Sequence, residues 1–220
     1  MVMNHVWTQD DSTAFAELLI SAGRGKSIIW DFDGVVADTE PLHDASYRVL
    51  GQRRKWTPSD DFFLSMVGQT EPIIWARLFA SGLPVHSERA SDVRDLIAAR
   101  REVFLELAEQ SLQPSWLCTA LMPALHGVAT TQVIVSNGDP TTIERLLRLW
   151  SMDQFVEVLR RASGTDKRLL LDERLSDRCV LLEDDARWLA LGTAAGAVTV
   201  AVQHDYNRTA DVHGDFTVTL

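Results

Sequence analysis

With 220 residues, the chain has room for one sizeable core, or for one core carrying a smaller inserted domain. Its 46% hydrophobic and 24% charged residues are those of an ordinary globular protein, and no apolar stretch reaches the length of a membrane span. The formal net charge of −10 argues against a nucleic-acid backbone as the main partner. It leaves room for a small anion, because a bound cation and a few local donors can invert the field of a site.

The first ten residues lack the basic start and apolar run of a signal peptide, so a cytoplasmic protein without a membrane partner is expected. Phe15, Leu18 and Leu19, with Ser12 or Thr13 as N-cap, predict a short amphipathic helix over Ser12–Ala22. Gly23-Arg24-Gly25-Lys26-Ser27 superficially suggests a phosphate-binding loop. The first glycine of that motif would fall at Ile20, however, and the segment leads into a strand, whereas such a loop leads into a helix.

That strand is a short β-branched run, Ser27-Ile28-Ile29-Trp30, of the kind buried on both faces. It stops at Asp31-Phe32-Asp33-Gly34. In open α/β sheets the carboxyl ends of strands are where ligands bind, and Gly34 lets the backbone turn sharply there. Two carboxylates this close repel unless something positive sits between them. A divalent cation with oxygen ligands answers that need, and Mg²⁺ suits carboxylate, carbonyl and phosphate oxygens. The same letters also spell an ordinary strand followed by an acidic turn.

From Leu42 to about Pro114 the pattern is helical, broken at Pro58, Gly68, Gly82 and Pro84. The clearest helix is Ser91–Gln110, with Val93, Leu96, Ile97, Arg100, Phe104 and Leu107 near a 3.6 period. No convincing buried strand interrupts this block, which reads as an inserted all-α domain over residues 41–114. Alternation resumes at Trp116, with a short helical turn to Leu121. A buried strand Gln132–Ser136 follows, then a helix Pro140–Trp150 with proline in its first turn. Next come a weaker strand Val156–Leu159, a strong strand Cys179–Leu182, a helix Ala186–Ala195 and a strand Ala197–Val202. Phe216–Leu220 is expected as an edge strand. Cys118 and Cys179 have no ligand-like spacing and read as small buried apolar residues. Strands separated by helices predict an α/β fold with a parallel sheet and helices on both faces, built from residues 1–40 and 115–220.

Three of these strands end in chemically loaded residues: Asp31 and Asp33, then Ser136 and Asn137, then Glu183 and Asp184. In a parallel sheet all three ends lie on one edge. Carboxylates for a divalent metal beside a small hydroxyl or amide donor suit phosphoryl transfer.

Asp31-Phe32-Asp33-Gly34-Val35-Val36-Ala37-Asp38-Thr39-Glu40-Pro41-Leu42-His43 resembles the first motif of the haloacid dehalogenase superfamily. The nearest subgroup is the β-phosphoglucomutase-like phosphatases and mutases. Ser136-Asn137-Gly138 resembles the second motif and Glu183-Asp184-Asp185 the fourth. The resemblance covers about Lys26–Glu40 and Trp116–Val202. It implies a Rossmann-like core with a helical cap and a Mg²⁺-dependent phosphatase acting on a small phosphorylated metabolite. Asp31 would be the nucleophile that becomes phosphorylated and Asp33 the general acid and base. Mg²⁺ would be held by Asp31, the carbonyl of Asp33 and Asp184, with Glu183 nearby. Ser136, with Gly34, Asn137 and His43, would contact the substrate. The presence of Asp33 favours phosphate over halide chemistry.

The third motif departs from the family pattern. Its lysine falls to Lys167, in Ser163-Gly164-Thr165-Asp166-Lys167-Arg168. No proline follows, and the run to Glu183 is shorter than is usual in the subgroup. Gly68-Gln69-Thr70 resembles the cap loop that faces the site, but Glu71-Pro72 replaces the basic residue a sugar-phosphate mutase would want after it. Arg100 and Arg101 either supply positive charge from the long helix or sit on a solvated face. Trp56, Trp75, Trp116, Trp150 and Trp188 read as packing residues, Trp188 standing where the family prefers glycine. A sugar-phosphate mutase, and a non-catalytic member that binds phosphate or a partner, remain alternatives.

Overall fold

A computed structural model describes residues 6–57, 59, 62, 69, 71–81, 90–160, 166–207 and 212–220. Two compact units emerge, residues 1–38 with 113–220, and residues 39–112. The strands are β1 (Val6–Trp7), β2 (Ser27–Trp30), β3 (Thr131–Ile134), β4 (Glu157–Val158), β5 (Cys179–Glu183), β6 (Val198–Gln203) and β7 (Phe216–Thr219). The first unit also contains the helices α1 (Ser12–Gly23), α5 (Trp116–Leu125), α6 (Pro140–Leu149), α7 (Lys167–Asp172) and α8 (Ala186–Ala194). The second unit holds α2 (Glu40–Arg54), α3 (Glu71–Ala80) and α4 (Ala90–Ser111).

The strands form one sheet in the order β1-β7-β6-β5-β2-β3-β4, and every pairing is parallel. Trp30 pairs with Ile134 on one side and Leu182 on the other. The residues that follow these three therefore leave the sheet at the same level and on the same edge. The alternation within β2 explains why its run is apolar throughout. Ile29 packs with Val133, Leu181, Leu170 and Leu171 on the α7 and α8 face. On the opposite face the Trp30 indole donates to Gln132 (3.2 Å), whose amide donates to the Met122 carbonyl in α5 (2.8 Å). Phe15 of α1 meets Trp116 of α5 edge-on, with ring centroids 6.1 Å apart. Helices thus cover both faces, and both cysteines are buried and free.

The elements differ from expectation in four places. Phe216–Thr219 is not an edge strand: it lies between β6 and the short β1, which carries no sequence signal in only two residues. Helix α5 continues to Leu125, with Pro123 inside its last turn and the chain leaving the helix three residues later, at His126. Helix α7 has six residues, too few for a periodic pattern, and is started by Asp166 accepting from the Leu169 amide (3.0 Å). Arg100 is buried and only Arg101 is exposed.

In the helical unit, Tyr47, Leu50, Trp56, Ile74, Trp75, Leu78 and Leu96 form a core of their own. Glu71 accepts from Arg100 (3.2 Å) and Arg101 (2.6 Å), and the Arg100 guanidinium lies 4.9 Å from the Tyr47 ring centroid. Pro58, Gly68, Thr70, Gly82 and Pro84, and Ser163–Thr165, lie outside the described residues. Among the described residues no helix is long and apolar enough to cross a membrane.

Candidate active site

The chain leaves β2 through one last ladder bond, from the Asp31 amide to the Leu182 carbonyl (2.9 Å). It then folds into a tight turn in which the Phe32 carbonyl accepts from Val36 (3.0 Å) and Ala37 (3.2 Å). The Gly34 amide returns to the Ala37 carbonyl (2.9 Å). Gly34 has φ +72°, and an added Cβ would lie 2.5 Å from Asp184 Oδ2 and 2.7 Å from His204 Nε2. Both facts demand glycine. Gly34→Ala is expected to destabilise the protein by about 2 kcal/mol through backbone strain alone. It should also displace the Asp184 carboxylate. Urea unfolding checks the first effect and a cation titration the second.

Asp31 is buried. Its Oδ1 accepts from the Phe32 amide (2.7 Å), and its Oδ2 lies 2.7 Å from Lys167 Nζ. The same ammonium lies 2.7 Å from Glu183 Oε2. Glu183 is fully buried, and its Oε1 accepts from the amides of Asp184 (3.2 Å) and Asp185 (3.3 Å). The Trp188 ring, with its centroid 5.6 Å from Lys167 Nζ, covers the ammonium. Asp33 takes a hydrogen bond on Oδ2 from the Ser136 hydroxyl (3.2 Å), and Ser136 Oγ in turn accepts from the Gly138 amide (2.9 Å). Asn137 is exposed on that turn. Asp31, Asp33, Gly34, Ser136, Lys167, Glu183 and Asp184 are therefore gathered at one sheet edge. His43 belongs to the helical unit, where its Nδ1 meets Arg100 and its ring stacks on Phe104 with centroids 4.6 Å apart.

Two buried acids, Asp31 and Glu183, face one ammonium, with the half-buried Asp184 beside them, and the acids respond. Burial, then repulsion from Glu183, pushes Asp31 well above the usual carboxylate range, against the pull of Lys167. Burial pushes Glu183 up to about 7, with Asp184 adding to it and Lys167 opposing. Asp184 is raised too, by burial, with His204 opposing. Burial alone would lower Lys167, but Asp31 and Glu183 outweigh it and carry its value up. One carboxyl oxygen from each of Asp31, Glu183 and Asp184 lies within 4.8 Å of the other two. An all-oxygen set with surplus negative charge fits Mg²⁺.

A pH dependence follows. A carboxyl whose value is raised by folding stabilises the protein below its unfolded value, and that stability is lost as pH rises through the folded one. Without a divalent cation, the melting temperature is expected to fall between about pH 5 and pH 8. Mg²⁺ should raise it more at pH 8 than at pH 5, since protons compete for the same oxygens. Thermal scans across that range, with and without Mg²⁺, check this.

Two residues at this edge escape the sequence reading. His204 and Asn207 follow β6, whose end is a fourth strand end on the same edge. His204 Nε2 lies 2.9 Å from Asp184 Oδ2, and the Asn207 amide donates to the Asp184 carbonyl (3.0 Å). The available signal was position: His204 comes one residue beyond the apolar run Ala197–Val202, directly after the last residue of β6, as Asp31 comes directly after the last residue of β2.

No protein-family model matches the chain, and no curated protein matches it. Solved structures do. CbbY from Rhodobacter sphaeroides, in complex with phosphate, is 18% identical with a TM-score of 0.71, over 88% of this chain and 92% of that one. A haloacid dehalogenase-like hydrolase from Streptococcus pneumoniae is 11% identical with a TM-score of 0.65, over 88% and 93%. β-Phosphoglucomutase from Clostridium difficile is 14% identical with a TM-score of 0.61, over 89% and 90%. The fold of this chain is the fold of those three proteins.

Proposed function

We propose that this chain is a Mg²⁺-dependent phosphatase that hydrolyses a small phosphomonoester through a phosphorylated Asp31. The observation that carries the reading is Lys167, buried and 2.7 Å from both Asp31 and Glu183. The third motif is the one the sequence spells least well. Well-packed apolar residues are often at least as stabilising as a buried ion pair, so stability alone gives little reason to keep a desolvated lysine between two carboxylates.

In this reading an Asp31 carboxylate oxygen attacks phosphorus and the bond to the leaving oxygen breaks. Asp33, protonated, gives its proton to that oxygen. Water then attacks the same phosphorus, Asp33 takes the water's proton, and the bond to Asp31 breaks to release inorganic phosphate. Ser136, through its hydroxyl to Asp33 Oδ2, orients the acid. Lys167 holds Asp31 in place and offsets its charge as the phosphoryl group approaches. Asp31, the Asp33 carbonyl and Asp184, with Glu183 behind them, would hold Mg²⁺, which supplies charge neutralisation on the phosphoryl oxygens. The helical unit is the substrate-selecting cap. Glu71, occupied by Arg100 and Arg101, stands where a sugar-phosphate mutase would want a basic, positively charged residue, which favours water as the acceptor.

Phosphate release from a panel of phosphorylated metabolites, with and without Mg²⁺, tests the proposal. Release that depends on Mg²⁺ is expected. A hexose 1-phosphate converted to its 6-phosphate without release would establish the mutase instead, and neither turnover nor cation binding would leave a non-catalytic protein.

A further inference from the structure

We propose that His204 is a positioning residue that fixes the Asp184 carboxylate for the divalent cation. The inference rests on the metal-dependent reading above and adds to it a residue outside the four motifs. His204 begins the turn after β6 and is 3% exposed. Its two ring nitrogens have separate partners. The Tyr206 backbone amide donates to Nδ1 (3.3 Å), which requires Nδ1 to be an acceptor, so Nε2 carries the proton and donates to Asp184 Oδ2 (2.9 Å).

The turn that presents the ring is itself tied to Asp184. Asn207 Oδ1 accepts from the His204 amide (2.8 Å), while its Nδ2 donates to the carbonyls of Asp184 (3.0 Å) and Val202 (2.9 Å). One asparagine thus fixes the backbone of both the histidine and its carboxylate. From the other side Gly34 closes on the pair, with no room for a side chain of its own. With Oδ2 engaged, Oδ1 is the oxygen left to join Asp31 and Glu183. A ring aimed at a carboxylate, held in one tautomer, is how proteins orient a ligand from behind.

His204→Gln keeps an N–H donor of similar reach, and His204→Phe keeps the buried ring without one. Mn²⁺ and Mg²⁺ binding to the wild type and both variants, measured by calorimetry, separates them. His204→Phe is expected to bind about 10–100-fold more weakly, and His204→Gln within about threefold of wild type. Equal binding by all three overturns the inference while leaving the phosphatase reading intact, as does equal weakening in both variants. A wild type that binds neither cation overturns both. Long-range ¹H–¹⁵N spectra of the wild-type imidazole supply a readout that needs no variant: an Nδ1–H tautomer at His204 would refute the assignment.

Discussion

Asp31→Asn is expected to lose phosphate release by on the order of 10⁴-fold or more while remaining folded, because no neighbour is placed to take over the attack on phosphorus. Asp33 is turned toward Ser136, and Glu183 is fully buried against Lys167 and two backbone amides. The amide of an asparagine fits the same space, though its single oxygen can accept from Phe32 or from Lys167 but not from both, and Lys167 keeps Glu183 as its partner. Melting should therefore shift far less than activity. Phosphate release and thermal unfolding on the same preparation decide the matter. A variant that retains a tenth of the activity would move the nucleophile away from Asp31. A variant that loses activity only because it unfolds would leave the role of Asp31 without support.

The strand ends explain how much of this was legible beforehand. A strand buried on both faces must be apolar throughout, so Ile28–Trp30, Val133–Val135 and Cys179–Leu182 announce themselves, and the first polar residue after each marks the sheet edge. That is why Asp31, Asp33, Ser136, Glu183 and Asp184 were readable as candidates. Lys167 was harder, since nothing local distinguishes a buried lysine from a loop lysine; its partners come from strands 136 residues earlier and 16 later in the numbering. Arg100, left open between a charge offered from the helix and a solvated face, is buried instead, for a similar reason. Arg100 falls on the apolar stripe of its helix, but only Glu71 from another helix reveals that its charge is paired inside. β1 is held by pairing with β7, a contact across nearly the whole chain that two residues cannot encode. His204 lay at the end of a strand that was identified, and was passed over because histidine reads as chemistry only when its partner is known.

Lys167→Met carries the second large effect, and it separates structure from chemistry. Methionine fills the stem's volume against Trp188 but removes the ammonium, so Asp31 and Glu183 are left facing each other without a cation. Removing one member of a buried ionic cluster destabilises by about 3–5 kcal/mol. The sign with pH follows from the carboxyls, whose values already stand above their ordinary range with the lysine present. Near pH 5 they can hold protons and the loss should be small; near pH 8 they must ionise and the full penalty appears. Mg²⁺ should return part of the stability at pH 8, because it puts positive charge back among the same oxygens, yet activity should stay low because Asp31 is no longer oriented from that side. Urea unfolding of both proteins at pH 5 and pH 8, with and without Mg²⁺, reads all of these. A stability difference independent of pH would mean that Lys167 contributes packing alone, and the charge balance drawn around Asp31 would have to be abandoned.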